Sequence, residues 1–222
     1  MRPALDWLHA FFVTTEVPGI VRNFNLEEYN WSGDLVEIGT GASPWGLGGW
    51  LSVNGRIAHF YHSPVTPEDR TIFALKEGSC EGQQLLEGLA ILVAIRIWGD
   101  LILTKRVSLK VRGDNIGALT LLIKMRPHSA HQAIIVREMA LAVSGAAFPP
   151  DVEHTPGIAH KVADGLSRLE DPSHQGRGVL DHPALSNAVR TNAPPRHRQW
   201  YKALSVVSPP NSNLEEEGEQ RS

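Results

Sequence analysis

At 222 residues the chain holds one globular domain of ordinary size with segments to spare. A formal net charge of −3 excludes a protein that coats nucleic acid through bulk charge, so any such contact has to come from a local patch. Cys80 stands alone, which excludes an intrachain disulfide and a cysteine-based zinc site and fits a reducing intracellular compartment, cytoplasmic or nuclear.

Residues 1–34 read as a connector. Leu5, Leu8, Phe11 and Phe12 share one face of a short helix, with Trp7 beside them, until Pro18–Gly19 breaks it. Asp6 and His9 interrupt any apolar run there, so the segment does not read as a signal peptide. A β region starts at residues 35–40, and Leu47 to Val53 follows as a second strand. Asn54–Gly55 is a strong two-residue hairpin signal, and Arg56 to Tyr61 returns as the partner strand. Residues 63–79, with Pro64, Pro67 and Gly78, read as an irregular excursion with a third strand near Thr71 to Ala74.

Gln83 to Trp98 predicts a helix that is apolar almost all the way round, because Leu86, Val93 and Ile97 widen the stripe of Leu85, Leu89, Leu92 and Ile95. The apolar stretch from Leu85 to Leu103 also carries Glu87, Arg96 and Asp100. It reads as a buried helix and its exit turn, not as a bilayer span, and no membrane partner is expected. Val107 to Val111 alternates as a strand that ends at Asp114. Two helices follow over 115–124 and 132–143, then a short strand over 151–155 and a short helix over 159–168. From Asp171 onward prolines and glycines accumulate, apolar periodicity is lost, and an acidic Glu215–Glu216–Glu217 run appears. Residues 171–222 are therefore expected to be a disordered tail, with Trp200 and Tyr201 as candidates for local docking.

Three acids stand in settings that suggest chemistry. Glu87 lies one turn into the apolar helix, where it either faces solvent near the helix start or needs a partner or a metal. Asp114 ends a strand, where it either caps the next helix or reaches a site. Asp164 follows His154, Pro156 and Gly157 in a strand–turn–helix arrangement with fewer ordinary explanations. The run from Lys105 to Arg126 offers a cationic patch, with Lys105, Arg106, Lys110, Arg112, Lys124 and Arg126 against the single acid Asp114. Its plain alternative is a solvated face.

Together these motifs resemble the ribonuclease H domain of retroelement reverse transcriptases. In that family a threonine–aspartate–alanine–serine motif precedes a glycine-rich hairpin, as Thr40 to Gly49 does here except at Gly41. The family's helix acid matches Glu87 and its strand-end acid matches Asp114. Its closing signature matches His154, Pro156, Gly157, Ala163, Asp164, Leu166, Ser167 and Arg168. Retroelement integrases share the scaffold but lack this closing signature. A tyrosine–x–aspartate–aspartate motif is absent from the sequence, so reverse transcription itself is not expected of it.

The resemblance implies an α/β, ribonuclease H-like fold over residues 35–170: a mixed sheet of antiparallel hairpin strands followed by parallel strands, flanked by helices. It also implies endonucleolytic cleavage of RNA in RNA–DNA hybrids by two Mg²⁺ (or Mn²⁺) ions roughly 4 Å apart. Glu87, Asp114 and Asp164 would be metal ligands, and His154 would assist proton transfer or product release. Gln83, Gln84 and Asn115 would touch the substrate, with Lys105, Arg106 and Arg112 on its backbone. Contact with upstream polymerase domains is implied as well.

Two positions depart from the pattern. The family's first aspartate bridges both metals, and Gly41 has no side chain. Glu37 lies roughly 13 Å back along an extended strand and cannot replace it. Metal binding is expected to be weakened and cleavage lowered by orders of magnitude. His160 stands where asparagine is usual, which predicts an altered turn hydrogen bond. The alternatives to an impaired enzyme are a module that grips hybrid without cutting it, and a protein-interaction remnant of a retroelement polyprotein.

Overall fold

The structure, a computed structural model, describes residues 34–102, 107–144, 151–156, 160–173 and 178–205. The expected connector lies outside them but for Asp34, and so do Lys105 and Arg106.

Strands β1 (Asp34–Ala42), β2 (Gly46–Val53) and β3 (Arg56–Pro64) form an antiparallel meander. Asn54 and Gly55 turn the second hairpin with φ of 51° and 81°, the left-handed pair that a two-residue turn between twisted strands requires. The third strand expected near Thr71 to Ala74 is instead a helix, α1 (Pro67–Phe73). Its start is over-determined: Thr66 caps the Asp69 amide, the Asp69 carboxylate returns to the Thr66 amide, and Pro67 occupies the first turn.

Helix α2 (Gln83–Ile97) is buried without interruption from Leu86 to Ile95. It packs on β1 and β2 from one side, while α4 (Ile116–Lys124) and α5 (Ala130–Val143) cover its other side. An apolar surface on nearly every side is what such a sandwiched helix requires. A short α3 (Gly99–Ile102) and β4 (Val107–Gly113) lie between α2 and α4 in the chain. β5 (Asp151–His154) follows α5, and α6 (Lys161–Ser167) crosses the opposite face of the sheet over β1 and β2.

The sheet order is β5–β4–β1–β2–β3–β6, where β6 is Val189–Arg190. β4 runs parallel to β1, and β5 parallel to β4. The fold is the expected α/β mixed sheet, with antiparallel hairpin strands followed by parallel strands and with helices flanking it.

The part of 171–222 that the structure describes is packed, contrary to the disordered tail expected. Leu185 buries against Phe60 and Leu166, and β6 then pairs with β3. The chain next passes to the other face, where Arg196 is 1% exposed. Its guanidinium donates to Asp69 (Nε to Oδ2, 2.9 Å), to Ser63 Oγ at 2.9 Å and to the Pro64 carbonyl. Tyr201 is buried against Phe73 and donates its hydroxyl to Asp69, while Trp200 lies under the Arg96 guanidinium, 4.2 Å from the ring centroid. A short helix, α7 (Lys202–Ser205), packs on α5. A few deep anchors hold this segment in place of a periodic apolar face, which is why composition alone read it as disordered.

Candidate active site

The sheet presents the C-terminal ends of its two central parallel strands side by side, and the three acids approach from separate elements. Glu87 comes from the second turn of α2 and is 4% exposed. Its Oε1 accepts the Ala42 amide at 3.0 Å, at the last residue of β1. Gln83 Nε2 donates to the same Oε1 at 3.0 Å and to the Ala42 carbonyl at 2.7 Å. Those bonds clasp the start of α2 to the end of β1. Glu87 is therefore neither solvent-facing nor without a partner.

Burial first, and the Asp114 carboxylate second, push the Glu87 carboxyl up to about 8. The bonds from Ala42 and Gln83 oppose the shift, and Asp164 adds to it. Asp114 and Asp164 thus both lie near enough to act on Glu87 through space. At neutral pH the group is largely a neutral acid, because two neighbouring negative charges and a dry setting disfavour a third charge.

Asp114 itself is exposed, directly after β4. It does not cap α4. Asn115 does, accepting the Ala118 amide on Oδ1 at 3.1 Å. Beside that cap lies the Gln84 amide, so close that a Cβ at Gly117 would come within 2.6 Å of its Nε2. Gln84 and Asn115 together present polar groups at the first turn of α4. His154, exposed at the end of β5, places Nε2 at 3.2 Å from the Asp114 carbonyl. The Thr155 amide donates to the Gly113 carbonyl at 2.9 Å, which fixes the two strand ends together.

Asp164 sits in α6, with its Oδ1 at 2.8 Å from Arg168 Nε. The two residues are four positions apart, the spacing at which side chains on one helix face meet. Gly41 pairs with Gly48 across the β1–β2 ladder, and α6 lies on both. A Cβ at Gly41 would stand 3.0 Å from the Ala163 carbonyl carbon and 3.1 Å from the Asp164 amide nitrogen. His160, buried at the helix start, donates from Nε2 to the Thr40 carbonyl at 2.6 Å. At the other end Ser43 Oγ donates to the Ser167 carbonyl at 2.7 Å.

The substrate contacts expected from the sequence fare unevenly. Gln83 is turned inward by the clasp. Arg112 is held between Glu37 at 2.9 Å and Glu153 at 3.4 Å, and Lys110 reaches Glu153 at 3.0 Å. Two acids from the flanking strands β1 and β5 therefore pair with the described strand part of the cationic patch. Gln84 and Asn115 remain at the mouth.

A pair of Mg²⁺ ions requires several ionised oxygens converging on one point. Here the Glu87 oxygen already serves two protein donors and favours its proton, Asp164 is paired with Arg168, and position 41 supplies no oxygen from a side chain. Among the described residues, no three His, Cys, Asp or Glu side chains gather so as to hold a metal. The residues as placed do not fit a two-metal pair.

No family model and no curated protein matches this chain. Among solved structures, RNase H1 from the halophilic archaeon Halobacterium salinarum NRC-1 is similar, with 13% identity and a TM-score of 0.47 over 63% of this chain and 97% of its own. LC11-RNase H1, isolated from compost by a metagenomic approach, shows 14% identity and a TM-score of 0.46 over 64% of this chain and 98% of its own.

Proposed function

We propose that this chain carries a retroelement-type ribonuclease H-like domain that engages RNA–DNA hybrids and cleaves them weakly or not at all. The reading is supported by the ordered motifs around Thr40, Glu87, Asp114 and Asp164, and by the proximity through which the last two carboxylates act on the first. The observation that carries the loss of activity is Gly41: it brings no carboxylate, and even a Cβ there would stand only 3.0 Å from the Ala163 backbone of α6. Residues 35–170 form the ribonuclease H-like unit in this reading, with the segment beyond them as a strap on it. The setting is intracellular, consistent with the single Cys80. Among the described residues no helix is long and apolar enough to cross a membrane.

A second reading, a module that grips hybrid without cutting it, is favoured by Gln84 and Asn115, whose polar groups lie together at the mouth. Electrophoretic mobility of a labelled RNA–DNA hybrid tests both readings. Binding should be measurable at low salt and weaken as salt rises, because phosphate contacts release counterions. Rapid Mg²⁺-dependent cleavage would overturn the loss of activity. Absence of binding at low salt would remove hybrid as the partner and leave the protein-interaction remnant.

A further inference from the structure

We infer that Gly41 and His160, the two departures from the family pattern, form a single packing joint that draws α6 onto the end of β1 and closes the metal position. This inference rests on the ribonuclease H-like reading of position 41. The two residues act on the same spot. His160 Nε2 donates to the carbonyl of Thr40, the residue before Gly41, at 2.6 Å. One helical turn later the Ala163 carbonyl and the Asp164 amide lie where a side chain on Gly41 would begin, 3.0 Å and 3.1 Å from its Cβ position. The imidazole is 3% exposed, so the bond is made in a dry setting and a replacement must fill its volume as well.

The seat extends along the helix. A Cβ on Gly48, the partner of Gly41 in the ladder, would come within 2.4 Å of the Ser167 amide nitrogen. Ser43 Oγ holds the Ser167 carbonyl at 2.7 Å, so α6 is fastened at both ends over a trough of two glycines. Backbone atoms, not a flexible side-chain tip, fill the space at position 41. A new Cβ therefore has to move the helix by a few tenths of an ångström against two buried bonds. At an ordinary strand position, alanine for glycine stabilises by reducing the freedom of the unfolded chain. Here the sign reverses.

Thermal unfolding of the full chain tests the joint, with Gly41→Ala, Gly41→Asp, His160→Asn and the Gly41→Asp/His160→Asn double variant, each with and without millimolar Mg²⁺. Gly41→Ala and Gly41→Asp should each lower Tm by about 3 °C or more, the shift expected of roughly 1 kcal/mol at this size. Releasing the pin should restore over half of the loss in the double variant, a coupling between touching sites. Mg²⁺ should raise the Tm of the double variant and leave that of Gly41→Asp unchanged. A Gly41→Ala variant with unchanged or higher Tm, or additive effects in the double variant, would overturn the joint. So would a Mg²⁺-dependent rise in Gly41→Asp alone. Recovery of Tm in the double variant without any response to Mg²⁺ would support the joint while removing the reading of position 41 as a former metal ligand.

Discussion

Glu87 Oε1 accepts the amide of Ala42, 45 positions away in sequence, and so ties the central helix to the end of the central strand. The same carboxyl group thereby holds two structural elements together. Removing it by Glu87→Ala leaves the Ala42 amide and the Gln83 side chain without their buried acceptor. The expected loss is about 1–3 kcal/mol of stability, read as a lower urea midpoint. Glu87→Gln keeps an oxygen for both donors and should cost less. Equal losses from the two variants would contradict the clasp.

The same group sets a pH dependence. Its carboxyl is pushed up from 4.5 to about 8 by burial and then by Asp114. Below about pH 4.5 the folded and unfolded states both hold this proton. Between that value and about 8 only the folded state holds it, so raising the pH favours unfolding, and the contribution is lost by the upper end. Stability should therefore decline across this window. Glu87→Gln should flatten that part of the decline, and urea unfolding of both proteins at successive pH values measures it. Parallel curves would place the proton elsewhere.

Arg196 and Asp69 make the strap part of the folded unit. Both are buried, and their ion pair also receives the Tyr201 hydroxyl. Arg196→Ala leaves the Asp69 carboxylate without its counter-charge, and breaking a buried pair in this way costs about 3–5 kcal/mol. The loss should appear as a large drop in Tm. A chain ending at residue 170 should be less stable still, because Tyr201, Trp200 and Leu185 leave with the arginine. A Tm within a degree or two of the full chain would mean that the strap adds little.

Much of the architecture was legible because its signals are local. Asn54–Gly55 announces its hairpin by the backbone angles that only such residues take readily, and the apolar surface of 83–98 announces a helix covered on several sides. The capping box at Thr66 and Asp69 was equally local, though the proline-rich setting suggested an irregular stretch with a strand. The strap was not legible, since Arg196 and Asp69 meet across 127 positions and no spacing encodes the contact. The acids of the candidate site could be picked out by motif, but not what they touch. The pairing of Arg112 was not legible because Glu37 and Glu153 reach it from two other strands. The bonds of Gln83 were not legible because they depend on where the end of β1 lies.

Substrate contacts can be separated by substitution. Gln84→Ala should weaken RNA–DNA hybrid binding several-fold, since its amide stands beside Asn115 at the start of α4. Arg112→Gln should change affinity by less than about two-fold, because Glu37 and Glu153 already neutralise the cation. Fluorescence anisotropy at fixed low salt reads both. A larger effect at Arg112 than at Gln84 would reverse the assignment.

Calorimetric titration of Mg²⁺ into the chain with a labelled RNA–DNA hybrid present, and the hybrid then analysed for cuts, tests the central claim most directly. The account predicts hybrid left intact or cut only slowly, and no saturable two-ion binding at millimolar Mg²⁺. Two-ion binding accompanied by Mg²⁺-dependent cleavage of the RNA strand would contradict it.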